Sequence, residues 1–135
     1  MKRLFVDTAG WMALADEADP RHEECRTARD DSLRRGALLV STDYVVDETF
    51  TLIRKRLGIR SVSRWWDQVQ GSTRLQWEWI NPERAERARE WFFRWTDKDF
   101  SFTDCTSFVV MRELRLKNAL TTDGHFRQAG FHVVP

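Results

Sequence analysis

Five short apolar runs, separated by stretches of helical length, do most to restrict the folds open to this chain of 135 residues. The runs cover residues 2–6, 37–41, 75–80, 119–122 and 131–134. Each is too short for a packed helix; 75–80 alternates as a strand does, and the others suit buried strands. Between them the spacing predicts helices over 11–15, 20–35, 44–57, 61–70, 82–96 and 103–116, with a helical turn over 125–129. Gly36, Gly58 and Gly71 stop three of these helices, and Asp19-Pro20 and Asn81-Pro82-Glu83 open two. Strands alternating with helices predict an α/β class. The expected form is a three-layer α/β/α sandwich around a central, mainly parallel sheet of four to five strands. In such sheets the working crevice lies outside the carboxyl ends of the strands.

Composition sets the remaining bounds. The chain reads as a single domain over 1–135, long enough to bury about 68% of its unfolded surface. A net charge of +1, from 22 basic and 21 acidic residues, excludes any bulk-charge argument for a nucleic-acid partner. No apolar run approaches the ~20 residues of a membrane span. No hydrophobic region follows Met1-Lys2-Arg3, so the expectation is a cytoplasmic protein without a membrane partner. Cys25 and Cys105 read as free, buried thiols in a reducing compartment. His22, His125 and His132 are too scattered to form a zinc pattern.

Four acids stand where the crevice is expected. Asp7 directly follows the first strand and Asp123 the fourth. Asp104 lies at the start of a helix, and Glu48 about one turn into the helix after the second strand. Gathered carboxylates raise one another's pKa unless a cation sits among them, and oxygen-only ligands suit Mg²⁺ or Mn²⁺. Each acid also has a plainer reading. Asp7 and Asp104 can cap helices, and Asp123-Gly124 is a turn signature. Glu48 falls nearly opposite the apolar stripe of Val46, Phe50, Ile53 and Leu57, which places it in solvent; only Val45 and Leu52 beside it point to a second buried face.

In combination these segments resemble a known family. The motifs are Leu4-Phe5-Val6-Asp7-Thr8, Val46-Asp47-Glu48-Thr49, Ser101-Phe102-Thr103-Asp104-Cys105-Thr106-Ser107-Phe108 and Ala119-Leu120-Thr121-Thr122-Asp123-Gly124-His125-Phe126. Together they are similar to the PIN-domain family, and most of all to VapC-type toxin ribonucleases, over essentially the whole chain. The resemblance implies a single PIN-like domain in which Asp7, Glu48, Asp104 and Asp123 are the catalytic acids. In that family such a quartet holds one or two Mg²⁺ or Mn²⁺ ions that activate water for phosphodiester hydrolysis. The implied activity is a metal-dependent endoribonuclease acting on RNA, the toxin of a type II toxin–antitoxin system. The implied partners are a second copy, in a homodimer, and a cognate antitoxin covering the active-site groove. Thr8, Thr103 and Thr121 match supporting hydroxyl positions, and Asp97 or Asp99 could add an acid.

Two features bear on the substrate. Arg54, Lys55, Arg56, Arg60 and Arg64 either line the path of an RNA backbone or form a solvated basic face. Seven tryptophans could stack on unpaired bases, but core packing, a dimer face in the helices over 44–70, or an antitoxin groove is the stronger reading. His125 reads as structural. Two other functions compete. One is a non-catalytic PIN-like module that binds RNA or protein. The other is an aspartate-based phosphohydrolase, which wants a second acid where Ala9 stands.

Overall fold

Phe5 and Val6 are fully enclosed, because the strand that carries them, β1 (Arg3–Val6), has a strand on either side. The computed structural model describes residues 2–135; Met1, at the head of the first expected strand, lies outside them. After β1 the chain runs α1 (Thr8–Ala15), α2 (His22–Arg34), β2 (Leu38–Thr42), α3 (Asp43–Leu57), α4 (Ile59–Gln70) and β3 (Leu75–Glu78). It continues through α5 (Pro82–Arg94), α6 (Phe102–Glu113), β4 (Asn118–Leu120), α7 (His125–Gln128) and β5 (His132–Val134).

The five strands form one sheet in the order β3-β2-β1-β4-β5, every pair parallel. Phe5 sits opposite Val40 on one side and Ala119 on the other, so β1 occupies the centre. Right-handed crossovers put α1 to α4 on one face and α5 to α7 on the other. The packing agrees: α1 meets α2 and α3, α3 meets α4, and α6 meets both α5 and α7. The strand order reverses direction between β1 and β4, and in open parallel sheets a crevice opens at such a switch.

Local chemistry moves several element ends from their expected places. The second helix starts at His22, not Pro20, because the Asp19 carboxylate accepts from the Arg21 N–H at 2.8 Å and holds a turn there. Helix α6 begins at Phe102, because Ser101 and Asp104 cap each other: each side chain accepts from the other's backbone N–H. Asp104 is therefore a residue of the first turn and not the cap itself. Helix α1 starts at Thr8, capped by Asp7. Most of the aromatic surplus turns inward. Trp11, Phe50, Trp65, Trp66 and Trp77 form one cluster of edge-to-face and tilted pairs joining α1, α3, α4 and β3.

Candidate active site

Each of the four acids arrives on a different element, and local hydrogen bonds fix each one. Asp7 closes β1; its Oδ1 accepts from the Gly10 N–H at 2.8 Å and its Oδ2 from the Thr121 hydroxyl at 2.8 Å. The Thr121 oxygen also accepts from the Asp123 N–H at 3.0 Å. One threonine past the end of β4 thus ties the Asp123 loop to the end of β1, at the switch in strand order. Glu48 comes from α3, and its Oε1 accepts from the Thr8 hydroxyl at 2.7 Å. Asp104 is held in the first turn of α6 by Ser101. His125 opens α7. Its backbone N–H donates to Asp123 Oδ1, and its Nδ1 lies 2.8 Å from Asp104 Oδ2 and 3.2 Å from Asp123 Oδ2.

All four acids line one cavity of about 250 Å³, together with Thr8, Ser101, Thr103, Ser107 and His125. A larger hollow of about 710 Å³ lies between α1, α2 and α4, floored by Trp11, Leu14, Leu33 and Trp65, and takes in none of the four. Asp97 and Asp99 are exposed in the loop before α6 and do not line the acidic cavity; Asp97 pairs with Lys98 instead.

The electrostatics of the cavity are those of acids short of positive charge. Burial pushes the Asp7 carboxyl up to about 7, and the charges of Asp104 and Asp123 push the same way. Hydrogen bonds from Gly10 and Thr121 oppose this without cancelling it. Asp104 is also raised, chiefly by burial, although Ser101 and His125 pull it down. Ser107, one helical turn past Asp104, is 1% exposed and its hydroxyl has no partner among the described residues. A buried hydroxyl left unpaired in a polar cavity calls for an occupant. Asp104, Asp123 and His125 bring one ligand atom each to within 4.8 Å of one another. Asp7, expected to share one ion's reach with Asp104 and Asp123, lines the same cavity as Glu48 does but stands outside that group, its two oxygens held by Gly10 and Thr121. Carboxylate and hydroxyl oxygens with one imidazole suit a hard divalent cation such as Mg²⁺ or Mn²⁺. Such a charge would favour the ionised form of Asp7 and Asp104, so the residues present fit a divalent ion.

Glu48 corrects the expectation drawn from periodicity. It is half-buried and faces the cavity, because α3 packs on α1 and α6 as well as on α4. The enclosed positions of α3 are Val45, Thr49 and Ile53, and a hydrophobic stripe cannot register a buried threonine. Beside the acids, His125, which reads as structural in the sequence, joins the site, and Ser107 escaped the sequence reading. His125 lies two residues after Asp123, in a turn that folds it back over that acid. Ser107 lies three after Asp104 and so on its face of the helix, the one signal that could have found it.

Comparison with known proteins bears on the family and the fold. A family model described as the PIN domain matches residues 4–132. Over 128 residues the chain is 35% identical to the 23S rRNA-specific endonuclease VapC20 of Mycobacterium tuberculosis, covering 95% of each chain. The crystal structure of Mycobacterium tuberculosis VapC20, described as a Sarcin-Ricin loop cleaving toxin, superposes with a TM-score of 0.89 at 33% identity. That match covers 98% of this chain and 99% of that one. FitAcB from Neisseria gonorrhoeae matches with a TM-score of 0.64 at 14% identity, over 98% and 96% of the two chains, and shares the fold.

Proposed function

The chain belongs to the PIN domain family, and on that premise we propose that it is a divalent-metal-dependent endoribonuclease whose working acids are Asp7, Glu48, Asp104 and Asp123. The observation that carries this reading is the convergence of those four acids, from four elements, on one cavity. It stands in a chain 35% identical over 95% of its length to an endonuclease.

Asp104 and Asp123 would hold the ion, with Asp7 and Glu48, from the same cavity wall, contributing directly or through water. When bound, Mg²⁺ or Mn²⁺ supplies an acidified water and a counter-charge for the phosphate. The chain's own residues do the positioning. Thr121 orients Asp7 and anchors the Asp123 loop, Thr8 orients Glu48, and Ser101 fixes Asp104. His125 keeps Asp104 and Asp123 together. The cavity offers no serine or cysteine paired to a base, so attack by water suits it better than attack by a side chain.

The family and its relatives support three further readings. The substrate is RNA, and the ribosomal loop cut by the Mycobacterium tuberculosis relative is the first to try. The protein acts as the toxin of a type II pair in the cytoplasm, where free Cys25 and Cys105 stay reduced. An antitoxin segment covers the acidic groove, and the chain forms a homodimer. No helix among the described residues is long and apolar enough to cross a membrane. The test is cleavage of RNA with Mg²⁺ or Mn²⁺, abolished by a chelator and restored by metal. Metal-independent cleavage, or none on any RNA, would defeat the proposal.

A further inference from the structure

The basic residues of this chain are not used alike. On α2 and at its start, Arg21, Arg26, Arg29 and Arg34 all pair with neighbouring acids. On α5, Arg84 bridges Glu78 and Glu113, and Arg87 also reaches Glu113. Residues 54–64 differ. They hold five basic residues and no acidic one, and none of the five forms an ion pair among the described residues; Arg64 turns to the Ser61 hydroxyl. Three of the five, Arg54, Lys55 and Arg56, stand side by side in the last turn of α3, the helix that carries Glu48.

Helix geometry connects that charge to the acids. Val45, Glu48 and Leu52 of α3 line the acidic cavity. At about 100° per residue, Lys55 and Arg56 fall one turn further along, one on each side of the Leu52 direction. They stand roughly 10–12 Å beyond Glu48 along the axis, and both are exposed. Arg54 is exposed too, but points about 200° away from Leu52.

We infer that Lys55 and Arg56 form the track along which the RNA backbone leaves the acidic cavity, each contacting a phosphate next to the one being cut. This rests on the ribonuclease reading and names the surface that delivers its substrate. The cavity itself repels a polyanion, and the molecule's net charge gives almost no attraction, so local cations are needed to hold the strand. A simpler account makes the three bases of the last turn of α3 partners of the helix dipole. That account treats Arg54, Lys55 and Arg56 alike, whereas the track does not.

The experiment compares Lys55→Gln/Arg56→Gln with Arg54→Gln in the full chain, using a fluorescent single-stranded RNA and a dinucleotide too short to reach the track. Binding of the long RNA is read without metal, and cleavage of both with Mg²⁺. The double variant should bind and cleave the long RNA about tenfold less well at low salt, through KM with kcat unchanged. Its log-affinity against log-salt slope should flatten by roughly 1.4, at about 0.7 per phosphate of single strand. Arg54→Gln should stay within about twofold, and all three proteins should cut the dinucleotide equally. Equal losses for Arg54 and the pair, or an unchanged salt slope, would overturn the track. So would a pair that keeps RNA binding but loses an acidic polypeptide such as poly-glutamate, which would assign the surface to a protein. Absence of cleavage by the unaltered chain would instead defeat the ribonuclease reading, and the metal-free binding would still judge the track.

Discussion

In Asp104 one carboxylate carries a structural and a chemical duty, and they can be separated. It completes the capping box of α6 and also faces His125 and Asp123. Asparagine keeps an acceptor for the Ser101 N–H but loses the charge. Asp104→Asn is therefore expected to abolish Mg²⁺-dependent RNA cleavage while the metal-free melting temperature holds or rises, since burial already disfavours the ionised form. Retained cleavage would remove Asp104 from the chemistry. Asp7 makes a second, pH-dependent prediction. Its carboxyl titrates near 7 in the fold against an ordinary 3.8. As pH rises the unfolded chain releases that proton first, so the metal-free protein should lose stability between about pH 4 and 7 and level off above. The loss amounts to roughly 4 kcal/mol at most. Asp7→Asn, which can still cap α1, should flatten that window and melt higher at pH 8. Equal pH profiles for the two proteins would show that burial of Asp7 is not the cause.

Among the elements, α1 is the one whose placement depends on a single atom's absence. It begins at the end of β1 and runs directly against β4. A Cβ on Gly10 would lie 2.2 Å from the Leu120 carbonyl oxygen. Backbone on backbone leaves nothing flexible to yield, so Gly10→Ala should cost about 3 kcal/mol or more and displace Asp7 with it. A denaturant midpoint within error of the parent would contradict that close contact. The sequence does not announce this need, because Gly10 has ordinary helical surroundings and only the packed sheet reveals its neighbour. The strands, by contrast, were legible: a parallel sheet buried on both faces leaves short continuous apolar runs, and edge strand β3, half-buried throughout, shows as alternation instead. Helix starts were less so: at Ser101 and Asp19 side chains compete for the same backbone groups, and the winner is decided by geometry. For the site, strand ends and family motifs together brought out all four acids. Glu48 required the motif, since its helix is buried on more than one side, and His125 and Ser107 required the fold.

Over the whole molecule, what remains exposed is as informative as what is buried. The helices over 44–70 are where the aromatic surplus suggested a dimer face, yet Phe50, Trp65 and Trp66 are spent on internal packing. The large apolar side chains left outside include Trp79, Phe92, Phe93 and Trp95, on or beside α5, with Ile59 the one such residue in 44–70. Phe92 stacks edge-on against Phe93 and Phe102, and Phe102 lies 6.3 Å from Tyr44. This aromatic strip thus runs from α5 to the first turn of α3, past Ser101 and Thr103 at the lip of the acidic cavity. A contiguous apolar strip of this kind is where a partner copy would bury surface, so the proposed homodimer is tested here as well as on the helices over 44–70. Two-fold symmetry would set each Phe93 near its counterpart or near the other copy's Phe92. A glutamate at that position would then bring like charges together across a desolvated interface. Because Phe93 is 70% exposed in the single chain, Phe93→Glu should change folding stability by only about 0.5 kcal/mol. Sedimentation at micromolar concentration should show a dimer for the unaltered protein and a monomer for the variant, with melting temperatures of the dilute proteins nearly equal. A unaltered protein that sediments as a monomer would refute the dimer, and a variant that stays dimeric would move its face elsewhere.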